Sequence, residues 1–192
     1  MSQTITKTYE IFKFEELSEE AQDQAIREMS DINVDFEWWD YDGHTAFSSN
    51  EMKKYHLTLE EAGDLLEFKH MYFDIDRGSY IQFVDCSFVN DKQARKFLGI
   101  TPRLWNKVDV SFNNNGRGSN TRLEIDQCDY DTDLTKHDEE LIERAKERFN
   151  DKMEDCLSDL RKQYDYLTSS EAIKETIECN EYTFDENGYR KD

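Results

Sequence analysis

Apolar residues in the C-terminal third of the chain recur at steps of three and four, the repeat of one helix face. The residues on this face are Ile142, Ala145, Phe149, Met153, Cys156, Leu160, Tyr164 and Leu167. The pattern predicts a long amphipathic helix from about Asp138 to Leu167.

Elsewhere the apolar residues alternate over short runs interrupted by turn residues, which is typical of β-strands. The clearest case is a hairpin, with strands at residues 68–75 and 80–89 and a turn at residues 76–79. Further strands are predicted at residues 4–14, 108–112, 122–130 and 181–184.

Capping residues indicate where shorter helices begin and end. Ser18 and Asn90 each precede a helix-forming run, and Gly99 ends the second of these runs. Helices are predicted at residues 18–30, 34–56, 58–66, 90–98 and 171–177. The fold class that follows is α+β, as a single domain over residues 1–192. We expect an antiparallel sheet of about four to six strands, flanked by helices, with the long amphipathic C-terminal helix.

Composition adds a strongly acidic surface to this picture, because the net charge is −20. Residues 1–76 carry 19 acids and 6 bases, and residues 126–192 carry 21 acids and 10 bases. The segment between them, residues 77–125, has 4 acids and 8 bases. Such a field repels nucleic acid and anionic membranes and attracts basic surfaces. We therefore expect a partner protein with a basic surface, and neither direct nucleic-acid binding nor membrane binding.

Several function classes lack their usual signals. The longest apolar runs are a few residues, and the N-terminus has no basic and apolar leader, so we expect no membrane span and no signal peptide. The cysteines are far apart, which fits neither a zinc site nor a disulfide framework and indicates a cytoplasmic protein. No HExxH, GxSxG or Cys–His signature occurs, so we expect no enzyme activity, no catalytic residues and no cofactor.

The predicted long helix carries a row of carboxylates on the face opposite its apolar residues. The members of this acidic row are Glu140, Glu143, Glu147, Asp151 and Glu154. One interpretation is an ordinary solvated face, partly neutralised by pairs such as Glu140–Arg144. The other is a partner-binding surface on which carboxylates take the place of nucleic-acid phosphates.

Three weaker candidates lie elsewhere in the sequence. Trp38 and Trp39 are adjacent, so one of them is a candidate contact residue for a partner. Arg117 lies between two glycines in the polar loop at residues 113–120, where it is a weak candidate for ligand binding. A flexible hairpin tip is the favoured interpretation of this loop.

The third weaker candidate is a calcium-type loop, for which acids occupy positions 1, 3, 5 and 12. Those acids are Asp129, Asp131, Asp133 and Glu140. Leu134 stands where such a loop needs glycine, so a generic acidic loop is the favoured interpretation and no metal is expected.

Four segments together resemble a loose group of small phage and prophage proteins. They are Phe14-Glu15-Glu16-Leu17-Ser18-Glu19-Glu20-Ala21-Gln22, the Trp38-Trp39 region, Phe73-Asp74-Ile75-Asp76-Arg77-Gly78-Ser79-Tyr80-Ile81 and Tyr182-Thr183-Phe184-Asp185-Glu186-Asn187-Gly188. Some members of this group are labelled antitoxin. The resemblance implies a phage accessory protein acting in the host cytoplasm, and the shared segments look structural.

These observations lead to one functional hypothesis and two alternatives. The hypothesis is a phage-encoded acidic protein that binds and inhibits a host nucleic-acid-binding defence protein, by mimicry of nucleic acid. The first alternative is an antitoxin-like or regulatory binding partner. The second is a nucleotide or small-ligand sponge that uses the basic middle segment and Arg117.

Overall fold

The computed structural model describes residues 10–34, 65–68, 70–75, 78–114, 116, 118–128 and 133–191. The chain divides into two compact units. The first unit comprises Met1–Phe36 and Tyr164–Asp192, and the second comprises Glu37–Gln163. Helices and antiparallel strands are both present, so the α+β class is confirmed; the single domain stays a prediction.

Five α-helices and eight strands lie within the described residues. The helices are α1 (Glu19–Glu28), α2 (Asp91–Leu98), α3 (Pro102–Trp105), α4 (Lys136–Leu167) and α5 (Ser170–Cys179). The strands are β1 (Phe12–Lys13), β2 (Leu66–Glu67), β3 (His70–Asp74), β4 (Tyr80–Val84), β5 (Ser87–Phe88), β6 (Val108–Asn113), β7 (Arg122–Gln127) and β8 (Thr183–Phe184). A 3₁₀ turn, Phe14–Glu16, separates β1 from α1.

The first unit joins the two ends of the described chain. β1 pairs antiparallel with β8, so Phe12 lies opposite Phe184. The core beneath this pair consists of Phe14, Leu17, Ala21, Ala25, Met29, Ile173, Ile177 and Phe184. Two of the segments that carry the phage resemblance therefore pack against each other across this core, which explains their apolar residues by packing.

Gly188 closes the turn after β8 at a point of very close approach to α1. Its φ is +86°, and a Cβ atom there would lie 2.0 Å from the carbonyl oxygen of Ala21. The turn is held by Asp185, whose Oδ1 accepts the backbone N–H groups of Asn187 and Tyr189 at 3.0 and 3.1 Å. Residues 185–188 therefore form a turn, and only glycine fits its last position.

The second unit contains three antiparallel strand pairs: β2 with β5, β3 with β4, and β6 with β7. With β1 and β8, the described strands form four two-stranded sheets rather than one sheet of four to six strands. The predicted hairpin is present, with Phe73 opposite Ile81. Its second strand ends early, at Val84, because Asp85 has a φ of 51° and turns the chain toward β5.

Capping residues fix the ends of α1 and α2. The hydroxyl of Ser18 accepts the N–H of Ala21 at 3.3 Å, and Asn90 accepts the N–H of Gln93 at 2.9 Å. Gly99 ends α2 with a φ of 70°. These three caps confirm the positions predicted from the sequence for α1 and α2.

Some predicted elements are shorter than expected or lie outside the described residues. The strand predicted at residues 4–14 is described only from residue 10, and it gives way to the 3₁₀ turn at Phe14. Leu66 belongs to β2, not to a helix over residues 58–66. The predicted helix at residues 34–56 lies almost entirely outside the described residues.

Candidate functional site

The direction in which the acidic row points depends on where α4 begins. A reciprocal pair of hydrogen bonds between Thr135 and Asp138 caps the start of this helix. The Thr135 N–H donates to Asp138 Oδ2 at 3.0 Å, and the Asp138 N–H donates to Thr135 Oγ1 at 3.2 Å. The helix therefore starts at Lys136, two residues before the predicted start. Hydrogen bonds from the Thr135 backbone and hydroxyl, together with the charges of Arg103 and Lys107, hold the pKa of Asp138 below its usual value.

The apolar face of α4 is oriented as predicted. Six of its eight predicted residues are buried, namely Ile142, Ala145, Phe149, Met153, Cys156 and Leu160. Tyr164 and Leu167, near the end of the helix, are half-buried. Within the second unit, the Phe149 ring lies 5.5 Å from the ring of Phe112 on β6, which locks the rotation of the helix about its axis. The opposite face is consequently exposed.

All five members of the acidic row are exposed. Two of them have partners one helical turn away. Glu140 Oε2 lies 3.6 Å from Arg144 Nη2, which confirms the predicted pair, and Glu143 Oε1 lies 3.2 Å from Lys146 Nζ. These exposed pairs contribute only a few tenths of a kcal/mol each. The first half of the row is therefore partly neutralised.

The second half of the row differs from the first. Glu147, Asp151 and Glu154 are exposed, and no ion pair joins them to any cation in the part of the chain that the structure describes. Arg148, beside them in sequence, is engaged elsewhere, because its Nη1 donates to the carbonyl oxygen of Leu98 at 2.7 Å. Arg148 therefore binds the C-terminal end of α2 and, within the described residues, forms no ion pair with the acidic row.

The polar loop at residues 113–120 has a structural role that the sequence did not indicate. β4 presents one edge to β3, and its other edge is satisfied by this loop and Thr121. The Ile81 N–H donates to Asn120 Oδ1 at 2.9 Å, and the Ile81 carbonyl oxygen accepts the Thr121 N–H at 2.9 Å. The Phe83 N–H donates to Thr121 Oγ1 at 2.7 Å, and the Phe83 carbonyl oxygen accepts the Asn114 side-chain amide at 3.0 Å. Three side chains and one backbone N–H thereby close a strand edge that is otherwise open to pairing with another chain.

A buried glutamine also ties down the tip of this loop. The Gln82 side-chain amide donates to the carbonyl oxygens of Gly116 and Ser119, at 2.6 and 2.7 Å. These hydrogen bonds hold the described residues Gly116 and Ser119 against β4, whereas the flexible tip stays a prediction. Arg117 itself lies outside the described residues, so its predicted ligand binding stays a prediction.

The remaining sequence candidates are only partly described. Trp38 and Trp39 lie outside the described residues, as do Asp129 and Asp131 of the calcium-type loop. Of the other two predicted calcium ligands, Asp133 is exposed and Glu140 pairs with Arg144. The described residues contain no group of three or more His, Cys, Asp or Glu side chains placed to hold a metal ion.

The first unit contains a cavity of about 220 Å³ that the sequence did not predict. Its lining residues are Lys13, Phe14, Glu15, Ile177, Glu178, Glu181 and Tyr182. They come from β1, the 3₁₀ turn, α5 and the segment leading to β8, so pairing of the chain ends creates the cavity. Only these distant elements together form it, which is why no local pattern reveals it.

The four cysteines are free thiols with different surroundings. Cys128 and Cys179 are exposed, Cys156 is buried and Cys86 is half-buried. Loss of solvation raises the pKa of Cys86 to about 12, so this thiol stays protonated at neutral pH.

Comparison with known proteins gives no relative from which to transfer a function. No protein-family model, curated protein or solved structure matches the chain. None of the described helices is both long enough and apolar enough to cross a membrane. The functional argument therefore rests on the geometry of the chain itself.

Proposed function

We propose that the chain is a non-enzymatic acidic interaction protein whose exposed α4 face binds the basic surface of a partner protein. The observation that carries this proposal is the triad Glu147, Asp151 and Glu154, which is exposed and has no ion pair within the described residues. An exposed carboxylate without an internal partner can pair with an incoming cation without first breaking another contact.

The spacing of the row supports mimicry of one nucleic-acid strand. From Glu140 to Glu154 the helix rises by about 21 Å, at 1.5 Å per residue, and carries five carboxylates. One strand of duplex DNA places about six phosphates along the same length, at 3.4 Å each. The row therefore approaches the linear charge density of a single strand, although it lacks the second strand of a duplex.

The rigidity of α4 adds to this argument. Phe149 and the neighbouring core residues are fully buried, so the helix cannot rotate to hide the row. Charges held in fixed positions bind a complementary surface with a smaller loss of conformational freedom than charges on a loop. The long-range field of a protein with a net charge of −20 would also accelerate encounter with a basic partner.

The resemblance to phage and prophage proteins supports a more specific form of the proposal. In this form, the partner is a host nucleic-acid-binding defence protein, and the acidic row occupies its nucleic-acid site. A partner of this kind presents the basic groove that such a row complements. Binding would then be salt-sensitive and would compete with DNA or RNA.

A capture experiment from host lysate tests the proposal. The tagged full chain should retain a basic protein at low salt, and duplex DNA or RNA should displace it. The variant Glu147→Gln, Asp151→Asn, Glu154→Gln should lose the retained protein. A matched control removes the same number of exposed charges from the first unit and should still retain the captured protein. This control variant is Glu171→Gln, Glu175→Gln, Glu186→Gln. Equal retention by the two variants would contradict a binding role for α4.

A further inference from the structure

The cavity of the first unit is lined by more negative than positive groups. Glu15, Glu178 and Glu181 contribute three carboxylates, whereas Lys13 is the one cation among the lining residues. Lys13 Nζ lies 3.9 Å from Glu181 Oε1, and both side chains are more than half exposed. A pair this long and this solvated is weak, so Lys13 can leave the cavity at little cost. The lining favours a cation and repels phosphate or carboxylate.

Two aromatic rings in the lining already attract cations from within the unit. The guanidinium carbon of Arg190 lies 3.9 Å from the centre of the Tyr182 ring, and Lys174 Nζ lies 5.8 Å from the centre of the Phe14 ring. Neither cation is a lining residue, but Lys174 Nζ also lies 3.7 Å from Glu178 Oε1. This pair is long and solvated, so an incoming guanidinium can displace it at little cost. Aromatic rings beside carboxylates form the combination that recognises a guanidinium, since its planar face stacks while its N–H groups bind oxygen.

The size of the cavity limits what it can hold. Its volume of about 220 Å³ lies below the ~300–1,000 Å³ of typical small-molecule pockets. A nucleotide is therefore excluded by size as well as by charge. One long side chain is of suitable size, and arginine suits both the rings and the carboxylates.

We propose that this cavity is a second binding site, which receives a single arginine side chain of a partner protein. The guanidinium would lie beside Tyr182 and donate charge-assisted hydrogen bonds to the carboxylates of Glu178 and Glu15. This proposal does not depend on the acidic row of α4, because all the lining residues belong to the first unit.

A peptide titration tests the site without the unidentified partner. The full ¹⁵N-labelled chain is titrated with acetyl-Gly-Arg-Gly-amide and followed by NMR. Shift changes should concentrate at Glu178, Glu181 and Tyr182. The same peptide with citrulline, which is neutral and nearly the same shape, should bind at least about fivefold more weakly, because charge-assisted pairs are lost. Equal binding of the two peptides, or no saturable shifts at these residues, would overturn the proposal.

Paired variants separate the cavity from the general acidity of the surface. Glu15→Gln with Glu178→Gln should weaken the arginine peptide by about fivefold, the effect of losing two exposed charge contacts. Glu171→Gln with Glu175→Gln removes the same charge from exposed positions that do not line the cavity, and should change affinity by less than about twofold. Equal weakening by both pairs would show that only bulk charge attracts the peptide, and would refute the site.

Discussion

Replacement of Thr121 by valine tests how the loop at residues 113–120 is held against β4. Thr121 is fully buried, and its hydroxyl accepts the Phe83 N–H and donates to Asn114 Oδ1, both at 2.7 Å. Valine has the same shape but no hydroxyl, so it leaves the Phe83 N–H without a partner. An unsatisfied buried donor costs about 1–3 kcal/mol, and the lost bond to Asn114 adds about 1 kcal/mol. Burial of the additional methyl group of valine offsets about 0.8 kcal/mol of this loss in stability.

The expected result is a net loss of about 1–3 kcal/mol in the free energy of unfolding, measured by urea denaturation. Hydrogen exchange at the Phe83 amide, followed by NMR, should become faster at the same time. Thr121→Ser is the control, because it keeps the hydroxyl and loses only one methyl, at a cost of about 0.8 kcal/mol. If valine proved as stable as threonine, or serine proved worse than valine, the hydrogen bonds would not be what holds this edge.

Three further predictions concern other parts of the chain. Gly188→Ala should lower the free energy of unfolding by more than about 2 kcal/mol. A positive φ alone costs ~1–2 kcal/mol for alanine, and its Cβ would also meet the carbonyl oxygen of Ala21. An unchanged thermal midpoint would contradict this close approach. The low pKa of Asp138 stabilises the fold above the usual aspartate pKa, and this contribution disappears as pH falls through the lowered value. Asp138→Ala should therefore destabilise at pH 7 and much less at pH 2 in urea denaturation, and an equal loss at both would be inconsistent with this. Mass spectrometry after brief alkylation should find Cys128 labelled before Cys156, and the reverse order would contradict their burial.

Local patterns in the sequence predicted those parts of the fold that depend on neighbouring residues. The caps at Ser18 and Asn90 and the apolar face of α4 each depend on residues within a few positions of one another. The β3–β4 hairpin likewise depends on one turn. These features are confirmed because sequence periodicity and capping chemistry act over the same short range.

Local sequence patterns could not predict contacts between residues that are distant along the chain. Asn114, Asn120 and Thr121 look like loop residues in the sequence, and only their proximity to β4 gives them a structural role. The cavity of the first unit likewise needs β1 beside β8, which are about 170 residues apart. The exposed face of α4 was predictable from periodicity, whereas the engagement of Arg148 at Leu98 was not.

The central claim concerns the triad Glu147, Asp151 and Glu154, and association kinetics test it most directly. The partner captured from host lysate is immobilised, and the association rate is measured by surface plasmon resonance for the full chain, the α4 triple variant and the matched first-unit variant. The α4 variant should associate markedly more slowly, with a weaker salt dependence, while the matched control stays close to the unaltered chain. Unchanged association and dissociation rates for the α4 variant would contradict the claim that this face makes the contact.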